Sequence, residues 1–84
     1  MINIILAEDH VLLREGLVAL LKDESDINIV GEAGNGIEVK ELLEHKHADV
    51  LIADINMPLM DGIETVRFVK QNYLHMHVMM LSML

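Results

Sequence analysis

Three carboxylates stand where runs of strand character stop. Glu8 and Asp9 follow the apolar residues 2–7, and Asp54 closes the run Val50-Leu51-Ile52-Ala53. Ser82 comes at the end of a further apolar stretch that begins at His77. Carboxylates gathered in one place repel one another and hold their protons more tightly. A hard divalent cation resolves that conflict, and an all-oxygen, half-open ligand set suits Mg²⁺ that keeps several of its waters. Such a cation can also take a phosphoryl oxygen and neutralise charge that develops during transfer. An aspartate held beside it can act as a nucleophile toward phosphorus. The bland reading is that an Asp before a helix caps it and an Asp after a strand makes a turn. Caps alone, however, do not require three acids at one end of one sheet.

The carboxylates meet only if the intervening elements bring the strand ends together. Residues 2–7 are almost all apolar and β-branched, and residues 27–33 form a second strand bounded by Gly31, Gly34 and Gly36. Residues 49–54 and 77–84 supply a third and a fourth. Between them, Val11, Leu12, Leu17, Val18, Leu20 and Leu21 recur at helical spacing, as do Ile37, Val39, Leu42 and Leu43. Asn35-Gly36 reads as a turn and helix start. Asp61 can cap a third helix with Glu64 as the reciprocal partner of a capping box, and Val66, Phe68 and Val69 form its expected buried stripe. The order is β-α-β-α-β-α-β. Continuous apolar strands alternating with helices imply an α/β, doubly wound parallel sheet. In the flavodoxin-like strand order 2-1-3-4 the first and third strands are neighbours, and Glu8, Asp9, Asp54 and Ser82 converge beyond their carboxyl ends.

Composition narrows the classes. The chain has 84 residues, enough for one small domain, and just over half are apolar. Its formal charge of −8 argues against this segment binding nucleic acid or anionic membranes directly. With no cysteine there is no disulfide, thiolate metal site or thiol nucleophile. Residues 1–7 lack a basic leader and cleavage site, and no apolar run reaches the roughly 18–20 residues needed to span a bilayer. A cytoplasmic domain is expected. His45-Lys46-His47 and His75-Met76-His77 are read as solvated ends, and the clustered Met76, Met79, Met80 and Met83 as strand packing.

Glu8-Asp9-His10, Asp54-Ile55-Asn56-Met57-Pro58 and Met60-Asp61-Gly62, in that order and spacing with Ser82 after them, resemble the two-component receiver domain across the whole chain. Gly31-Glu32-Ala33-Gly34-Asn35-Gly36, together with Asp54-Ile55-Asn56-Met57-Pro58, is most similar to the NarL/FixJ branch, whose members usually carry a LuxR-type DNA-binding domain after the receiver. The resemblance implies that Asp54 is the phosphoacceptor and that a sensor histidine kinase is the donor. It implies Mg²⁺ held by Asp9, Asp54 and the backbone carbonyl of Asn56, with Glu8 acting through a water. Ser82 would be the switch hydroxyl, and Pro58 and Gly62 would shape the loop. Glu8 departs mildly from the more common Asp.

A complete receiver continues with a helix, a lysine-bearing strand and a last helix, yet no lysine follows Lys70. Residues 1–84 are therefore expected to be the N-terminal part of a receiver, with any DNA-binding domain also absent and an apolar face left uncovered. Self-association, as a dimer or strand-exchanged oligomer, is the corresponding expectation. One competing reading is an interaction module that no longer takes phosphate. Another is a Mg²⁺-dependent phosphatase or Toprim-type enzyme, but both want an Asp-x-Asp pattern where this chain has Asn56. A flavodoxin would need a phosphate-binding loop in place of Glu8-Asp9.

Overall fold

The computed structural model describes residues 1–81. Strand β1 (Ile2–Ala7) leads to helix α1 (Val11–Lys22), β2 (Ile27–Ala33), α2 (Gly36–His45), β3 (Val50–Asp54), α3 (Gly62–Asn72) and β4 (His77–Leu81). The sheet has the order β2-β1-β3-β4, and every pairing is parallel. This is the flavodoxin-like arrangement that the alternating pattern implies. Residues 82–84, and with them Ser82, lie outside the described residues.

Register decides which side chains meet. Ala7 pairs with Ala53, so the next residues, Glu8 and Asp54, end neighbouring strands at the same level. The pleat sends residues one position apart to opposite faces. Ile5, Ala7, Ala33, Leu51 and Ala53 accordingly share one face, packed with Val39 and Leu43 of α2 and Val69 of α3 in the main core. Ile4 and Leu6, equally buried, belong to the opposite face by that alternation.

That second face is thinly covered. α1 has no buried residue, and Val11, Leu12 and Leu20 are exposed, as is Met79 on β4. The helical spacing in α1 is real, but its apolar stripe is only half used.

The helix starts are set by capping. Asn35 Oδ1 accepts from the Glu38 N–H at 2.9 Å, and Asp61 Oδ1 accepts from the Glu64 N–H at the same distance. In α3 the buried positions are Gly62, Thr65 and Val69, while Val66 and Phe68 are only half-buried. The expected apolar stripe is thus shifted by one residue toward a threonine. Thr65 fits because its hydroxyl donates to the Asp61 carbonyl at 2.7 Å, so that the buried hydroxyl is itself paired.

Candidate metal centre

Two parallel strands deliver the acids, and the loops after them fix their backbone. The Glu8 N–H bonds the Ala33 carbonyl at 2.9 Å, continuing the β1–β2 ladder one residue beyond the strand. The Glu8 carbonyl accepts from Arg14 Nη1 at 2.9 Å, tying it to the first turns of α1. After β3, the Ile55 N–H reaches the Leu81 carbonyl at 3.2 Å, and the Ile55 carbonyl accepts from Gly62 N–H at 2.9 Å. A Cβ at position 62 would strike the carbonyl oxygen of Asp54 and the Cα of Ile55. Only glycine lets α3 start this close to the strand end.

The loop between them turns sharply. Met60 N–H bonds the Pro58 carbonyl at 2.7 Å, closing a three-residue turn around Leu59, whose φ is 66°. That left-handed conformation is costly for a residue with a Cβ, and such turns are uncommon. The turn aims the Met60 carbonyl at the start of α2, where it accepts from Gly36 N–H at 3.0 Å.

Glu8, Asp9, His10 and Asp54 each place one ligand atom within 4.8 Å of the others. Glu8 is fully buried and Asp54 is 3% exposed. Among the described residues, neither Glu8 Oε1 nor Asp9 Oδ1 accepts a hydrogen bond, although both atoms are buried. Glu8 Oε2 has only long contacts, both with His10: 3.5 Å from its N–H and 3.4 Å from its Nδ1. Burial pushes the Glu8 carboxyl above its ordinary range, and the neighbouring Asp54 pushes the same way; the His10 amide opposes them. Buried, unpartnered carboxylate oxygens crowded onto one another fit the donor set of an oxygen-seeking divalent cation.

The structure thus brings together Glu8, Asp9 and Asp54, as the strand ends imply. Asn56 lies exposed in the turn just beyond Asp54, at the same end of the sheet. His10 is an addition that the sequence pattern did not single out as part of the cluster. It stands at the N-cap of α1, but its side chain makes no capping bond. Its Nδ1 lies instead 3.4 Å from Glu8 Oε2 and 3.3 Å from Asp9 Oδ1. The signal available in the sequence was its place directly after the two acids.

At the other end of the sheet, His47 and His75 are exposed as expected, and their rings stack with centroids 5.4 Å apart.

The profile of the response regulator receiver domain matches residues 4–84. The chain belongs to this family. It is 38% identical over 80 residues to the nitrate/nitrite response regulator protein NarL of Escherichia coli K12, covering 95% of this chain and 37% of that protein. It is 37% identical over 81 residues to the transcriptional regulatory protein DegU of Brevibacillus brevis, covering 96% of this chain and 34% of that protein. Among solved structures, the RcsB response regulator of Salmonella typhimurium superposes with a TM-score of 0.91 at 29% identity. That match covers 99% of this chain and 43% of RcsB. The relatives are therefore receivers of transcriptional response regulators, and the chain spans little more than a third of the length of the curated relatives it matches. Within the described residues, no helix is long and apolar enough to cross a membrane.

Proposed function

We propose that the receiver is a working phosphoacceptor. A carboxylate oxygen of Asp54 attacks the phosphorus of a phosphohistidine on a sensor histidine kinase; the P–N bond breaks and the imidazole leaves. The observation that carries this reading is the pair of orphaned oxygens, Glu8 Oε1 and Asp9 Oδ1, packed against Asp54. Asp9, Asp54 and the backbone carbonyl of Asn56 would hold Mg²⁺, with Glu8 reaching it through water. The cation would supply charge neutralisation on the phosphoryl oxygens. Glu8 and Asp9 hold the negative field that makes the site need a cation, and the Gly62 contact fixes the Asp54 backbone. Ser82 is the proposed switch hydroxyl. The chain serves as a cytoplasmic signalling module, not as an enzyme acting on a separate substrate. In a protein of the relatives' length it would control an output domain that binds DNA; the RcsB structure is described in terms of DNA interaction.

The test is incubation with acetyl phosphate and Mg²⁺ followed by intact mass measurement. One phosphoryl group is expected on the wild type, and none on Asp54→Asn or in EDTA. A folded wild type that gains no mass would leave the interaction module as the better account.

That second reading draws on the exposed Leu12, Leu20 and Met79. Apolar surface on α1 and on β4, the last strand of the described sheet, favours self-association through a second copy. Light scattering at high concentration should give a mass above that of a monomer; a monomeric mass there would rule it out.

A further inference from the structure

The His10 side chain meets no part of the fold by hydrogen bond or ion pair except the carboxylates of the pocket, among the described residues. N-cap residues ordinarily turn a side-chain oxygen onto the first helical amides. An imidazole at that position has no such role, and here it makes no capping bond. The ring is exposed over most of its surface, so burial does not dictate its rotamer. It nonetheless points Nδ1 at two carboxylate oxygens, 3.3 Å and 3.4 Å away. One of these, Asp9 Oδ1, has no hydrogen-bond partner. Donor atoms that share a tetrahedral cation at bonds of about 2.0–2.1 Å stand about 3.3 Å apart.

We infer that His10 Nδ1 is a ligand of the cation pocket, so that a borderline divalent transition cation such as Zn²⁺ competes with Mg²⁺ at the phosphoacceptor. This rests on the reading of the acidic pocket as a metal centre. The chemistry is that of the donor set. Mg²⁺ seeks oxygen and gains little from an imidazole. Zn²⁺ takes nitrogen and carboxylate oxygen together and binds mixed sites more tightly, following the order of divalent affinities. Such a cation would draw Asp54 into its own ligand set. Glu8, Asp9, His10 and Asp54 would then form a closed site that shares its carboxylates with the Mg²⁺ site, with Zn²⁺ acting as an inhibitor of phosphoryl uptake.

The experiment uses the 84-residue chain at fixed neutral pH, with Zn²⁺ and Mg²⁺ as probes, in the wild type, His10→Ala and Asp9→Asn. Affinities come from competition with a chromophoric chelator, and the His10 ring nitrogens are followed by long-range ¹H–¹⁵N spectra. In the wild type, Zn²⁺ should shift the His10 Nδ1 resonance strongly, and excess Mg²⁺ should reverse the shift. His10→Ala should weaken Zn²⁺ by about tenfold or more and leave Mg²⁺ within about twofold. Asp9→Asn should weaken both cations. If it leaves both unchanged, the metal-centre reading itself falls. If Asp9→Asn weakens Mg²⁺ but His10→Ala leaves the ratio of Zn²⁺ to Mg²⁺ affinity unchanged, only the role of His10 falls. Zn²⁺ bound without any shift of the His10 nitrogens, as binding at His47 and His75 would give, also overturns it.

Discussion

The two ends of the sheet each hold buried or half-buried carboxylates close to a histidine, and they use them in opposite ways. At the amino end, Asp49 accepts the Asn3 N–H at 2.9 Å through its side chain, and its own N–H and carbonyl bond Asn3 and His77 at 2.7 and 2.9 Å. His47 Nε2 lies 3.2 Å from its other oxygen. Both carboxylate oxygens of Asp49 have a partner, and the Asn3 amide holds the Asp49 carboxyl below its ordinary range. At the carboxyl end, Glu8 is more deeply buried, has an orphaned oxygen and is held above its range. One end completes the fold. The other is left chemically incomplete, which is the usual condition of a site awaiting a ligand.

The harshest way to break this contrast is to disturb the backbone beneath the acids. Gly62→Ala drives a Cβ into the Asp54 carbonyl and the Ile55 backbone, which are not the ends of flexible side chains. A loss of about 3 kcal/mol in unfolding free energy is expected, together with loss of the shared Mg²⁺ site. Chemical denaturation and Mg²⁺ titration check it. A variant as stable as the wild type would mean that α3 can shift freely and that the close approach at Gly62 does not fix Asp54.

A gentler test reads the two ends through pH. Glu8 has its folded pKa raised above the ordinary value of 4.5. Between that value and the folded one the native state binds more protons than the unfolded state, so stability is greatest below 4.5 and is lost as pH rises. Asp49 has its folded pKa lowered from the ordinary 3.8, so its contribution is present above 3.8 and lost as pH falls through the folded value. In EDTA, Glu8→Gln should therefore be more stable than the wild type at pH 7 and lose that advantage below about pH 4.5. Asp49→Asn should cost stability at pH 7 and cost less in strong acid. Adding Mg²⁺ should narrow the gap between the wild type and Glu8→Gln and leave the Asp49→Asn deficit unchanged. Thermal melts across pH with and without Mg²⁺ measure all of this; parallel pH curves for the two variants would erase the distinction between the ends.

The sequence made the acid end more legible than the amino end for a physical reason. Strand ends followed by Glu8-Asp9 and by Asp54 announce themselves through polarity change, and parallel order 2-1-3-4 is enough to bring them together. Nothing comparable marks Asp49, whose partner is a backbone amide 46 positions away and so leaves no trace in residue type. His47 and His75 are likewise ordinary in sequence and meet only through the β3–β4 register. In α3 a periodicity of apolar residues pointed to Val66, but the buried position went to Thr65. There a short side chain that bonds its own helix lets Gly36 of α2 come close. His10 was visible beside the acids, yet its direction is a rotamer, which spacing does not encode.

The smallest expected effect tests whether the loop at the acid end is held under strain for the sake of the site. Leu59 is 79% exposed, so its side chain contributes little burial, and its φ of 66° is unfavourable for any residue with a Cβ. Glycine would remove about 1–2 kcal/mol of that cost but would add about 0.5–1 kcal/mol of chain entropy to be lost on folding. Leu59→Gly should therefore stabilise the protein by about 0.5–1 kcal/mol in denaturant titration. The Met60–Pro58 and Gly36–Met60 bonds that depend on the turn should keep their amide exchange protection. A gain in stability with slower phosphoryl uptake would show that the strained turn serves Asp54 at the expense of the fold. A gain with unchanged uptake would show that the leucine is merely tolerated there. A loss of stability would mean that the left-handed conformation is not the one populated in solution.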